Sequence, residues 1–325
     1  MRTSLDRRKV ITLCAAMGGA ALVPLGASRR PGAEPLVEWT GVMLGAVATL
    51  RLSHPDRRTG EELLRRAVAE ARRLEAIFSI YRDDTAVSEL NRNGVLVAPP
   101  AELVHLLGLC DDIWRTTGGV FDPTVQPLWR CYADHFASAG ADPAGPSREA
   151  LAAAVKLVGW SNVRFSRDRI ALVQRGMGLT LNGIAQGYIT DRVVDLLRQE
   201  GIGSSLVDMG EIRTVGHRPG GGAWQVAVEM AKSPRTFDLV DKAVATTGAS
   251  GFQFDAEGRC NHLFNPATGH CAKPATSLSV VAPTAAVADG LSTAFALMDE
   301  SARHRVLARL PDAQLYVNTE QSLSG

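Results

Sequence analysis

Aromatic residues make up only 6% of this 325-residue chain, and neither sign of charge is in excess, with 35 Lys and Arg against 34 Asp and Glu. The near-balance excludes a broad nucleic-acid surface, which needs a clear basic excess, and it equally argues against a strongly acidic partner. No apolar run reaches the roughly 20 residues that span a bilayer, so a multi-span membrane protein is out. Cysteine is sparse, five in all. The chain also lacks a glycine-flanked nucleophilic serine, a His-Glu metalloprotease helix and a phosphate-loop lysine motif. What is there is 46% hydrophobic and 21% charged residue, with 31 Gly and 16 Pro. That is a folded globular chain, one large domain or two modest ones, with many turns and a core of Val, Leu, Ile and Ala.

The first residues read as an address. Asp6-Arg7-Arg8-Lys9 precedes an uncharged run from Val10 to Leu25, then the small residues Gly26-Ala27-Ser28. Paired arginines before a mildly apolar segment read as a twin-arginine export signal over 1–27, followed by a linker over 28–38. An ordinary secretion signal or an uncleaved anchor is the alternative. Twin-arginine machinery carries folded proteins, often with cofactor bound, so the route hints at a ligand and at a periplasmic location. Cleavage near Ala27 would remove a net of three positive charges and leave the mature chain near −2. Cys110, Cys131, Cys260 and Cys271 would then sit in an oxidising compartment, with 20, 128 and 10 residues between neighbours. These spacings match no zinc pattern, and they leave free thiols and three disulfide pairings equally open.

The periodicity predicts a strand from Trp39 to Leu52 and a helix opened by the capping box Thr59-Gly60-Glu61-Glu62. Its apolar stripe is Leu63, Leu64, Ala67, Val68, Ala71, Leu74, Ile77 and Phe78. A second helix follows Pro99-Pro100 and stops at Gly118-Gly119, and Ser147 caps a short one. Residues 162–173 read as strand, Arg-Asp turn, strand. Gly183 to Glu200 reads as a helix, and Thr284 caps another that runs to Met298. Strands fall at Ser205–Asp208, Trp224–Met230, Ala243–Thr246, Ser279–Ala282 and Ala313–Val317. Strands and helices mix without strict alternation, which makes the class α+β.

Several residues could carry chemistry. Asp289 and Thr293, four apart, share one helical face; a carboxylate and a hydroxyl there make a half-shell for Mg²⁺. On spacing alone, a solvent-facing Asp with a Thr bonded back to its own helix is the commoner arrangement. Leu179 to Tyr188 joins a strand to a helix through glycines, which can turn backbone N–H groups toward an anion or serve only tight packing. His262 lies in a loop before Asn265-Pro266, where a histidine can be a general base or a structural residue. Asp122 sits in a tight turn after Gly118-Gly119, and Tyr81 follows the first helix, free to stack on a ring or to finish the core.

Seven blocks fall in a recognisable order. They are Phe78 to Asn91 with Tyr81-Arg82-Asp83-Asp84, Gly119 to Val125, Asn182 to Asp191, Leu206 to Ile212, Ala245-Thr246-Thr247-Gly248, His262 to Gly269, and Ala282-Pro283-Thr284 followed by Ala288-Asp289. In these blocks the mature chain resembles the ApbE family of FAD:protein FMN transferases. The resemblance implies mixed, largely antiparallel sheets with packed helices over 39–325. It implies that Tyr81, Val120, Phe121 and Asp122 line an FAD site and that Asp289, Thr293 and the Gly183 carbonyl hold Mg²⁺. His262 would lie close to the transferred group.

The implied reaction moves FMN from FAD, the substrate, to a threonine or serine hydroxyl of a partner flavoprotein and releases AMP. Four departures stand out: Thr180 where the family mostly has Asp, Gln186 where Lys is common, Leu44-Gly45 for Met-Gly, and Asn265-Pro266 for Asp-Pro. Thr180 and Gln186 occupy positions implied to face FAD. The block form and the leader also look like the periplasmic branch serving nitrous-oxide respiration, whose acceptor is a membrane-associated flavoprotein. A flavin-binding assembly factor without turnover, or a hydrolase of the FAD pyrophosphate, are the alternative readings.

Overall fold

The computed structural model describes residues 36–43, 46–228, 234–274 and 276–317. The export signal at 1–27 with Arg7 and Arg8, most of the linker and the Leu44-Gly45 pair lie outside the described residues. The main sheet has seven strands in the spatial order β1-β2-β6-β7-β10-β11-β12. They are β1 (Leu36–Met43), β2 (Ala46–Ser53), β6 (Ser205–Asp208), β7 (Ile212–Val215), β10 (Ala243–Gly248), β11 (Ser277–Ala282) and β12 (Gln314–Val317). Every neighbouring pair in it is antiparallel. A small sheet orders β3 (Val95–Val97), β5 (Arg169–Leu172) and β4 (Val163–Phe165), and β8 (Trp224–Val228) pairs with β9 (Arg235–Leu239) as a separate ribbon.

The seven strands are short and alternate their side chains between two faces, so each face can meet a different cover. One face carries Leu50, Val207, Ala245 and Val280 into the main core. There it meets α1 (Arg57–Phe78), α6 (Ala185–Gln199) and α7 (Ala285–Ala296). The other face carries Leu206, Ile212, Val244 and Val281, covered by Trp224, Val226, Phe237 and Leu239 of the β8–β9 ribbon. A third cluster joins α4 (Gln126–Phe136) and α5 (Arg148–Val155) to the loop around Phe254, Cys260 and Phe264. The remaining helices are α2 (Ala86–Asn93), α3 (Ala101–Thr116) and α8 (Glu300–Leu307).

Four local expectations change. The stretch from Trp39 to Leu52 is two strands, not one, with Met43 opposite Ala46; continuous apolar composition hid the reversal. β1 also begins at Leu36, so strand rather than linker holds residues 36–38. The first helix starts at Arg57, because the Asp56 carboxylate accepts the N–H groups of Arg58 and Thr59 and outcompetes the Thr59 hydroxyl as a cap. That hydroxyl instead donates to Asp56 at 2.5 Å. The stripe predicted for this helix is buried along its whole length. Last, residues 126–136, for which the sequence pattern predicts no element, form α4, with Pro127 in the first turn of the helix, where no N–H is needed.

α6 and α7 pack very closely. A side-chain carbon at Gly187 of α6 would lie 2.3 Å from the Ala285 carbonyl oxygen of α7. Both partners there are backbone, so neither can swing aside. Gly187→Ala is therefore expected to lower stability by about 1–3 kcal/mol, the usual cost of overpacking a tight core. It would be read as an earlier denaturation midpoint with an unchanged slope.

Candidate active site

All ten residues singled out in the sequence line one cavity: Tyr81, Val120, Phe121, Asp122, Thr180, Gly183, Gln186, His262, Asp289 and Thr293. They come from the turn after α1, the turn after α3, the loop into α6 and the first turn of α6, the loop at 260–272, and α7. Trp129, Glu211, Thr246, Thr247, Phe252 and Phe264 complete much of the wall.

Asp289 is not the solvent-facing residue that spacing alone favours; it is 4% exposed, and its Oδ2 accepts the Gly187 N–H at 3.0 Å. The acceptor at this helix N-terminus, as the glycines of 179–188 allow, is the protein's own carboxyl group. Burial pushes the Asp289 carboxyl up; the Gly187 N–H opposes this and the nearby Asp191 charge adds to it. Glu211, in the turn between β6 and β7, is driven well up by burial, with the Asp289 and Asp208 charges adding. Burial also pushes Asp208 up to about 7. Among the described residues no ion pair includes Asp289, Glu211 or Asp208. Asp289 and Glu211 line the cavity, and their buried carboxyls favour added positive charge there.

The Thr293 hydroxyl is not bonded back into α7 either: its Oγ1 donates across to the Gly183 carbonyl at 3.4 Å. A side-chain carbon at Gly183 would lie 2.9 Å from Thr293 Oγ1, so glycine keeps the space between these oxygens open. One carboxylate, one hydroxyl and one carbonyl form an all-oxygen set that suits a hard cation such as Mg²⁺. No group of three or more His, Cys, Asp or Glu side chains that could hold a metal occurs among the described residues. A cation here depends on the hydroxyl and the carbonyl.

His262 is anchored by Phe252, whose carbonyl accepts both the His262 N–H at 3.3 Å and Nδ1–H at 3.2 Å. Because a carbonyl can only accept, Nδ1 holds the proton and Nε2 keeps its lone pair. Burial lowers the pKa of this imidazole, with the Phe252 bond opposing. It is a neutral ring with one basic nitrogen.

Tyr81 stands at the rim, 38% exposed, and its hydroxyl accepts from Asn182 Nδ2 at 2.8 Å. Phe121 is buried, and Val120 packs beside it. Asp122 lines the cavity while its oxygens hold the turn. Oδ1 accepts the Thr124 N–H at 2.8 Å and hydroxyl at 2.5 Å, and Oδ2 accepts the Trp160 N–H at 3.1 Å. Burial nevertheless raises its carboxyl. Thr180 is tied down through its N–H to the Pro123 carbonyl at 2.8 Å, with its Oγ1 accepting the Asn182 N–H at 3.4 Å. Gln186 is buried, and its Nε2 has no partner among the described residues.

Sequence reasoning passed over Glu211, Trp129 and Phe252. Glu211 lies in a matched block, and a carboxylate in an apolar turn was the signal that could have found it. Nothing local marks Trp129 or the Phe252 carbonyl.

The fold is that of solved flavin transferases. The chain aligns with the apo crystal structure of Pseudomonas stutzeri flavinyl transferase ApbE with a TM-score of 0.75 and 25% identity. The alignment covers 90% of this chain and 94% of that one. A Thermotoga maritima ApbE protein gives a TM-score of 0.73 at 25% identity, covering 87% and 94%. The sequence points the same way. The chain belongs to the ApbE family, whose sequence model matches residues 44–317. It is 26% identical over 255 residues to the FAD:protein FMN transferase of Chlamydia pneumoniae, covering 76% of this chain and 79% of that protein. It is 23% identical over 331 residues to the Salmonella typhimurium FAD:protein FMN transferase, covering 95% and 91%.

Proposed function

We propose that this chain is a Mg²⁺-dependent FAD:protein FMN transferase. It moves FMN from FAD to a threonine or serine hydroxyl of a partner flavoprotein and releases AMP. The observation that carries the reading is the meeting, on one cavity, of a histidine whose Nδ1 is held by a backbone carbonyl, an all-oxygen half-shell and aromatic walls.

The chemistry is displacement at phosphorus. The acceptor hydroxyl oxygen bonds to the FMN phosphorus, the bond from that phosphorus to the AMP oxygen breaks, and the hydroxyl proton passes to His262 Nε2. Tyr81, Phe121, Trp129 and Phe252 supply apolar and aromatic surface for the rings of FAD. Gln186 Nε2, without a partner among the described residues, offers a hydrogen bond to a pyrophosphate oxygen. Asp289, Thr293 and the Gly183 carbonyl would hold Mg²⁺, which supplies charge to offset what develops on the phosphate oxygens.

The leader and block form support a periplasmic enzyme exported by the twin-arginine machinery. Its acceptor would be a membrane-associated flavoprotein of the nitrous-oxide-respiration kind.

The test incubates purified protein with FAD, Mg²⁺ and an acceptor carrying a target threonine. AMP is read by chromatography and covalent flavin by fluorescence of the denatured acceptor. AMP together with a fluorescent acceptor is the expected result. Tight FAD binding with neither product across several acceptors would point to a flavin carrier. FMN plus AMP insensitive to acceptor would point to a hydrolase.

A further inference from the structure

We infer that Asp191 is a positioning residue for the metal half-site: it sets the register of α7 against α6, so that Thr293 faces Gly183 and Asp289 faces Gly187. The inference rests on the metal reading above and adds a residue outside the cavity wall to it.

Two antiparallel segments meet here in three rungs. Gly183 faces Thr293, with Oγ1 donating to the glycine carbonyl at 3.4 Å. Gly187 faces Asp289, its N–H donating to Oδ2 at 3.0 Å. Asp191 faces Ala285 and Ala286, whose N–H groups donate to Oδ1 at 2.8 Å and Oδ2 at 2.9 Å. Residues 183, 187 and 191 are four apart, as are 293, 289 and 285, so each rung is about one helical turn from the next. The first two rungs carry the proposed ligands, and the third is the anchor.

The anchor is specific in direction. A carboxylate on α6 grips amides of α7, and one turn along a carboxylate on α7 grips an amide of α6. Asp191 is fixed in turn from the sheet, because Arg213 Nη1 of β7 donates to its Oδ1 at 2.6 Å. Its role is more than end-capping, since Thr284 already caps α7 through the Val287 N–H. A shift of α7 by a fraction of a turn would carry Thr293 away from Gly183 and Asp289 away from Gly187 while leaving the sheet and the flavin walls intact.

The test measures Mn²⁺ binding to the full-length protein by electron paramagnetic resonance, for wild type, Asp191→Asn and Asp191→Ala. Metal-free thermal midpoints are recorded alongside. Residues that orient metal ligands typically change affinity by about 10–100-fold. We expect Mn²⁺ binding to weaken by that range in Asp191→Ala and by less in Asp191→Asn, which keeps one acceptor oxygen. A merely structural role would lower the metal-free midpoint and leave the affinity of the folded protein unchanged. If Asp191→Ala does not fold, the Asn variant carries the comparison. Wild-type binding matched by both variants would overturn the positioning role alone. No Mn²⁺ binding by wild type would overturn the metal reading and this inference with it.

Discussion

Replacing Asp289 with alanine is expected to slow Mg²⁺-dependent AMP release from FAD by about 10³-fold, the several kcal/mol that a correctly placed cation contributes to phosphoryl transfer. Asp289 offers the one carboxylate of the half-shell, and neither the Thr293 hydroxyl nor the Gly183 carbonyl carries a charge to replace it. The loss should lie in the chemistry more than in the fold. Removing the buried Asp289 charge relieves Glu211, at the cost of the acceptor for the Gly187 N–H, so the variant should still unfold cooperatively. Asp289→Asn separates charge from shape, because its amide oxygen can still accept the Gly187 N–H. The measurement is AMP release against Mg²⁺ concentration, and turnover equal to wild type in either variant would remove the metal assignment.

For His262→Ala, transfer slower by about 10²–10⁴-fold, with FAD binding within a few-fold of wild type, is the expected result, the range a positioned general base supplies. The pH dependence adds a sign. Below its pKa the imidazole is protonated at Nε2 and cannot take the hydroxyl proton, so the rate falls as pH drops through that value. Burial lowers the pKa, so the acidic limb should lie below the ordinary histidine value of about 6.5. At pH 7 the base is already in its active form. His262→Gln should lose the limb along with the rate. Equal rates in the alanine variant, or a limb that survives it, would return His262 to a structural role.

Much of this site was legible because its parts sit in short blocks whose order can be read. Tyr81, Val120 to Asp122, Gly183 and Asp289 each lie close to a glycine, a proline or a helix end, and His262 lies three residues before Asn265-Pro266. What the sequence left open was cover. The i,i+4 spacing of Asp289 and Thr293 places both on one helical face but says nothing about what packs there. The partners Gly187 and Gly183 lie 102 and 110 residues away in the chain. The tautomer of His262 was hidden for a related reason: it depends on a backbone carbonyl at Phe252, which every residue possesses. The fold shows the same division. The stripe of α1 and the α+β mixture follow from periodicity, which is local. The reversal between β1 and β2 and the existence of α4 turn on backbone geometry that apolar or proline-rich composition does not advertise.

The order of the main sheet bears on how the chain is made. β2 pairs on one side with β1, its sequence neighbour, and on the other with β6, about 150 residues further along. At typical synthesis rates of about 5–20 residues per second, a ribosome needs roughly 10–30 s to deliver that second partner. Through that interval the nascent hairpin carries an open row of amides and carbonyls, able to template pairing with another chain. α7, with Asp289 and Thr293, emerges later still. The cavity therefore cannot form on a partial chain. A nascent-chain arrest series should show FAD protection from quenching only after residues near 300 have cleared the exit tunnel, with the β2 edge exposed to chaperone capture until then.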